Sequence, residues 1–288
     1  MVVEFDGLGI RTAKLDSLFA ETTQAYSLSL HGLDTSNIVS MFKTFFSCVA
    51  LNRLNVNNLD FSSVRNVDGL FCMCENLEEI SLSGIDTGAV DNMHSMFYGC
   101  KNIKYLDVTS FDTRKVTHMD TVFGGCSSIE SIDLSSFDTC NVKTFRGLFY
   151  NCHTLSDLDL SNFNTSNAVY MREMFCNCNS LKKLDLSSFD THNVKYMSHM
   201  FSGCTGISTL DLSSFDTRNV EDMSYMFYNC ENLSVLDLSS FNFKTAPDMK
   251  YMFDRCKSLK QVKLPKDKVS RELLKNQLYD SGIRAVIE

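Results

Sequence analysis

At 288 residues the chain has room for two ordinary domains or for one elongated repeat array. A composition of 44% hydrophobic and 22% charged residues, with two prolines and no tryptophan, supplies a core and excludes the disordered class. The 27 basic and 35 acidic side chains leave a net charge of −8, which argues against a phosphate-tracking nucleic-acid surface, and no run approaches the roughly 20 apolar residues of a membrane helix.

Residues 1–14 read as a lead-in or N-terminal cap, with 2–5 expected to cover the first coil; residues 1–10 lack the basic and long apolar regions of a secretory signal. From residue 15 to 264 the chain repeats itself. Nine of its 12 cysteines, Cys48, Cys74, Cys100, Cys126, Cys152, Cys178, Cys204, Cys230 and Cys256, are spaced 26 apart without a slip, which marks a solenoid. A phenylalanine stands three residues before each, from Phe45 to Phe253, and aliphatics follow at three, six and eight, as Leu155, Leu158 and Leu160 follow Cys152. A tenth, degenerate unit lies upstream, with Thr22 in the cysteine column, Phe19 in the phenylalanine column and Leu28 and Leu30 in the aliphatic ones.

Within one unit the period changes. Residues 184–188 alternate apolar and polar, so Leu184 and Leu186 face inward and Asp185 and Ser187 outward, as in a short strand. Val194, Met197, Met200, Phe201 and Cys204 then fall at helical spacing, with Asn193 placed to cap the start and Gly203 suited to a left-handed stop. The expected fold class is therefore α/β, a right-handed solenoid of about ten units with short parallel strands on one face and short helices on the other. Phe111, Phe137, Phe163, Phe189, Phe215 and Phe241 should form an aromatic spine where each strand ends. Residues 265–288 read as a C-terminal cap, with an amphipathic helix over 270–281 stopped by Gly282 and a strand at 283–287. The LPKDK at 264–268 is not an LPxTG-type wall anchor.

The regular cysteines share one repeated environment, whereas a nucleophile needs a special one, so buried free thiols are favoured over disulfides or catalytic groups. Cys72 with Cys74 and Cys176 with Cys178 make CxC pairs, too few and too far apart for a structural zinc site. His31, His94, His118, His153, His192 and His199 fall in different columns and read as incidental surface positions. No triad, dinucleotide fingerprint or P-loop is present, so neither catalysis nor a cofactor is expected.

Four outward columns remain. Asp107, Asp133, Asp159, Asp185, Asp211 and Asp237 stack at one strand position, where like charges need relief. They read either as a solvated stripe flanked by Ser135, Ser161, Ser187 and Ser213, or as a stripe for a basic ligand or calcium. A second set, Asp112, Asp138, Asp190 and Asp216, is expected to serve turn chemistry. Two residues before the stripe the sequence varies freely, through Arg53, Glu79, Tyr105, Ser131, Asp157, Lys183, Thr209 and Val235. Arg53, Glu79, Tyr105, Asp157, Lys183, Asp185 and Asp211 are the candidate partner-binding residues. Phe46, Tyr98, Tyr150 and Tyr228 form a mixed column that reads as ring packing between coils or as a contact patch.

The unit LDLSSFDTxNVxxMxxMFxxCxxL, cleanest over 184–207 and 210–233, resembles the BspA-like leucine-rich repeats of bacterial surface proteins. The resemblance runs from about residue 15 to 264, although residues 59–61 and 88–90 depart from the FDTxNV turn. It implies a non-enzymatic, monomeric adhesion or binding module, on the cell surface or secreted, that recognises a protein or glycan such as a host matrix component or receptor. The competing expectation is an intracellular scaffold or effector using the same surface, which fits unpaired cysteines and the missing signal.

Overall fold

The computed structural model describes residues 2–6, 13–31 and 33–287. Repetition every 26 residues places like side chains over like, and the chain winds into stacked coils that form a parallel β-solenoid of about ten turns. Strands β1 (Val2–Asp6), β2 (Ser27–His31), β3 (Arg53–Asn55) and β4 (Glu79–Ser81) form one parallel sheet. A second is built from β5 (Thr209–Asp211), β6 (Val235–Asp237), β7 (Gln261–Lys263) and β8 (Val286–Ile287). The register equals the repeat, with Arg53 opposite Glu79 and Leu210 opposite Leu236.

Between the two sheets the coils keep the alternation, Leu184 and Leu186 buried and Asp185 exposed, yet the strand expected over 184–188 does not form a regular ladder. There the strand side retains isolated links, such as the Ser131–Asp157 bridge and the Ser156 N–H donating to the Glu130 carbonyl.

The helices expected on the second face are not formed; among the described residues the one α-helix is α1 (Lys268–Asp280), near the C-terminus. Consecutive tight turns replace them. Met200, Ser202 and Cys204 donate their N–H groups three residues back, to Met197, His199 and Phe201. The intervening N–H groups leave the coil, since Met197, His199, Phe201 and Gly203 donate to Asp222, Ser224, Met226 and Tyr228 on the next one. Left-handed residues four apart, His199 at φ 57° and Gly203 at φ 73°, turn alternate donors outward and break any i to i−4 ladder. Apolar residues three apart satisfy such a row of turns as well as they satisfy a helix. Gly203 is left-handed as expected, but as one of two such positions per coil. Asn193 caps no helix; its amide donates to the Ser166 carbonyl of the preceding coil at 2.8 Å, as Asn141, Asn167 and Asn219 do in theirs.

Three buried columns hold the coils together. Rings from Phe19 to Phe253 stack with centroids 5.4–6.1 Å apart. Each of the nine regular cysteines donates its thiol, at 2.9–3.3 Å, to the carbonyl of the phenylalanine 29 residues earlier. All 12 cysteines are free, and burial pushes the Cys126 thiol up to about 12. The third column is threonine. Thr87, Thr113, Thr139, Thr165, Thr191 and Thr217 each accept the N–H and donate to the C=O of one residue on the next coil, as Thr139 does with Asn164 at 2.8 and 2.9 Å.

Ring spacing widens across the molecule. On the turn side His199–Tyr225, Tyr225–Tyr251 and Tyr170–Tyr196 lie 4.5, 5.0 and 5.1 Å apart, whereas the spine where the strands end opens to 6.4 Å at Phe111–Phe137 and 6.5 Å at Phe189–Phe215.

Both ends are covered. β1 pairs with β2 over five positions, and α1 lays Leu274 and Leu278 against the last coil while β8 extends the sheet beside β7. Asp267 caps α1 by accepting the Ser270 N–H at 2.7 Å, and the buried Ser270 hydroxyl accepts the Phe243 N–H at 2.9 Å. Phe243 stands where the preceding coil has Thr217, so this hydroxyl serves a coil whose own column residue has none.

Candidate functional site

Along the strand side the acidic stripe turns back on its own coil. Asp133, Asp159, Asp185, Asp211 and Asp237 each accept the backbone N–H of the serine two residues on, at 2.8–2.9 Å. Asp107 accepts both the N–H and the hydroxyl of Thr109, at 3.1 and 2.6 Å. These donors favour the charged form, so hydrogen bonds from Ser135, Ser161 and Ser187 hold Asp133, Asp159 and Asp185 below the usual carboxylate range. Relief of the stacked charge thus comes mainly from local backbone donors, with Lys263 adding an ion pair to Asp237 at 2.9 Å. Among the described residues no group of three or more His, Cys, Asp or Glu is placed to hold a metal ion. The second acidic set makes the same kind of turn, with Asp112, Asp138, Asp190 and Asp216 each accepting the N–H two residues on.

The variable column stands free of this bonding. Arg53 and Glu79 pair across adjacent coils at 3.1 Å, and Tyr105, on the next coil, is 75% exposed. Together with Asn55, Ser81 and Asp107 they line an open depression of about 500 Å³ over β3, β4 and the coil beyond. Three of the seven candidate residues therefore share one concavity. Asp157, Lys183, Asp185 and Asp211 are exposed farther along the same face, outside it. A spacing of about 4.8 Å per coil puts Lys183 roughly 15 Å from Tyr105.

The turn side carries features that sequence reading missed. His94 lies 3.8 Å from Asp120, whose carboxylate raises the imidazole above its ordinary range. Arg172 stacks over Tyr196 at 4.6 Å and reaches across that coil to Asp222, two coils away, at 2.7 Å. His94, Asp120 and Arg146 line a second depression of about 400 Å³ with Tyr98 and Tyr150. Tyr98 and Tyr150 share a column legible in the sequence, and Gly124 stands between them in it.

Parallel coils with stacked leucine and phenylalanine columns define a solenoid of the leucine-rich-repeat kind, consistent with the BspA-like repeat. The chain belongs to the family described as "Mycoplasma protein of unknown function, DUF285", whose model matches residues 11–82, 74–182 and 149–266. No curated protein matches it. Among solved structures it is similar to a leucine-rich repeat protein from Bacteroides ovatus, at 18% identity over 100% of this chain and 91% of that one, with a TM-score of 0.43. It is also similar to a leucine-rich cell surface protein from Faecalibacterium prausnitzii, at 14% identity over 94% and 89% of the two chains, with a TM-score of 0.36. A leucine-rich repeat protein from Eubacterium ventriosum matches at 16% identity over 85% and 80%, with a TM-score of 0.35.

Proposed function

We propose that the chain is a non-enzymatic binding module of a bacterial surface or secreted protein, which engages a protein or glycan partner through its strand face around Arg53, Glu79 and Tyr105. The observation that carries this reading is the depression these residues share, because three of its lining side chains come from the strand column that varies from coil to coil. An exposed tyrosine and a guanidinium in one depression are the residue types that concentrate binding energy at interfaces. The Arg53–Glu79 pair is solvated and adds little to stability, so both groups are available to a partner.

The test is a screen of the folded chain against immobilised matrix proteins and glycans, repeated with an Arg53→Ala, Tyr105→Ala double variant. A partner whose affinity falls about 30-fold or more in the double variant supports the reading. Binding unaffected by the pair moves the contact elsewhere.

A second reading, an intracellular scaffold using the same face, is favoured by the 12 free cysteines, which suit a reducing compartment. Fractionation of the producing cell separates the two: recovery of the chain from the cytosol alone supports the scaffold and removes the surface role. Among the described residues no helix is long and apolar enough to cross a membrane.

A further inference from the structure

Three outward columns run side by side along the turn face. The first holds His94, Asp120 and Arg146 on successive coils, the second Ser95, Thr121 and Gly147, and the third Tyr98, Gly124 and Tyr150. Between the outward positions Met96 and Phe97 point into the core and fix the coil beneath. The second column holds Ser17, Lys43 and Gly69 upstream and turns bulky downstream, with Glu173, His199, Tyr225 and Tyr251. From Gly69 to Gly147 it stays small, and within that run Gly124 opens the third column as well, between Tyr98 and Tyr150. The surface sinks there into the depression of about 400 Å³, a size common for small-ligand sites.

Its walls are chemically distinct. Tyr98 and Tyr150 bound one side, with Tyr98 leaning over Gly124 so that its Cδ2 is 3.0 Å from where a Cβ would stand. Opposite them Asp120 is fixed, accepting the Thr144 hydroxyl at 2.5 Å and lying 3.8 Å from His94. Arg146 is 59% exposed with only a long 3.5 Å contact to Glu173, so its donors can turn toward a guest. Ser95 and Thr121 bond each other at 2.7 Å on the floor and present further hydroxyl groups. Carboxylates and cationic groups alternate around the rim, so no single sign of charge dominates it.

Aromatic rings on one wall and balanced donors and acceptors on the other match a neutral polyhydroxylated ring, whose C–H face packs on tyrosine while its hydroxyls meet a carboxylate and a guanidinium. We propose that this depression is a carbohydrate subsite for a neutral hexose unit of a glycan, with Tyr98 and Tyr150 as the packing surface and Asp120 and Arg146 as the hydroxyl partners. The site lies on the face opposite the strand-side depression and stands independently of the role assigned to that one.

The experiment is saturation-transfer NMR on the full chain with neutral oligosaccharides of glucose, galactose, mannose and N-acetylglucosamine, followed by calorimetry on any binder. Saturation should pass from tyrosine protons to sugar ring protons. Tyr98→Ala, Tyr150→Ala and Asp120→Asn should each weaken binding about tenfold or more. Thr121→Tyr should abolish it, because a ring would then cover the floor. That column already accepts Tyr225 and Tyr251 at φ 57°, and Thr121 has φ 50°, so the variant should keep the native melting temperature. Lys257→Ala, exposed and outside both depressions, should leave sugar binding unchanged. Absence of transfer to every sugar in the panel, or binding that survives Thr121→Tyr, overturns the assignment.

Discussion

A single hydroxyl in the threonine column does the work of two ladder partners. Thr139 is fully buried and pairs with both the N–H and the C=O of Asn164 on the next coil. Replacing it with isosteric valine keeps the shape and orphans both backbone groups. Thr139→Val should therefore cost about 1–3 kcal/mol in urea unfolding, with little change in m-value. An unchanged midpoint would mean that neighbouring groups or water take over both bonds. The cysteine column follows the same logic with a weaker donor: each Sγ fills a small apolar site and gives its proton to a carbonyl that already accepts a turn N–H, as Phe123 does from Cys126 and Cys152. Sequence reading placed these cysteines inside but had no means of seeing the carbonyl they serve, which belongs to a residue 29 positions away.

At the scale of elements, the strand face was legible and the turn face was not. Alternation at Leu210–Asp211 and the stacked leucines are direct consequences of a pleated chain. The spacing of Val194, Met197, Met200 and Cys204 is ambiguous, because i to i−3 turns bury every third residue and mimic one face of a helix. Glycine would have flagged the left-handed positions, yet many hold other residues, and at His199, Tyr225 and Tyr251 ring packing from coil to coil offsets an unfavourable φ. Where a true helix occurs, local rules suffice. Asp267 caps α1, so Asp267→Ala should lower stability by about 1 kcal/mol and raise hydrogen exchange in the first turn of α1. Unaltered exchange there would show that packing of Leu274 and Leu278 alone holds the helix. The candidate sites divide in the same way. Arg53, Glu79 and Tyr105 could be found as side chains present in a varying column; the turn-side depression depends on side chains that are missing, at Gly124 and Gly147, between residues 26 apart.

For the whole molecule, contacts run mainly between a coil and its neighbours, so stability is distributed along one axis. The nine regularly placed thiols divide that axis into equal steps and are buried in the native chain. Under sub-denaturing urea, maleimide labelling followed by mass spectrometry should find Cys48 and Cys256 modified earliest and Cys126 and Cys152 last. Simultaneous modification of all nine would instead mark a single cooperative unit. The caps enter this picture directly, since β1 and α1 remove the open coil faces from which such fraying would begin.

Because the register between coils equals the repeat, adding or removing one whole 26-residue unit would leave every buried column continuous, whereas a change of any other length would break the columns at that coil. Such a molecule can lengthen only in whole steps.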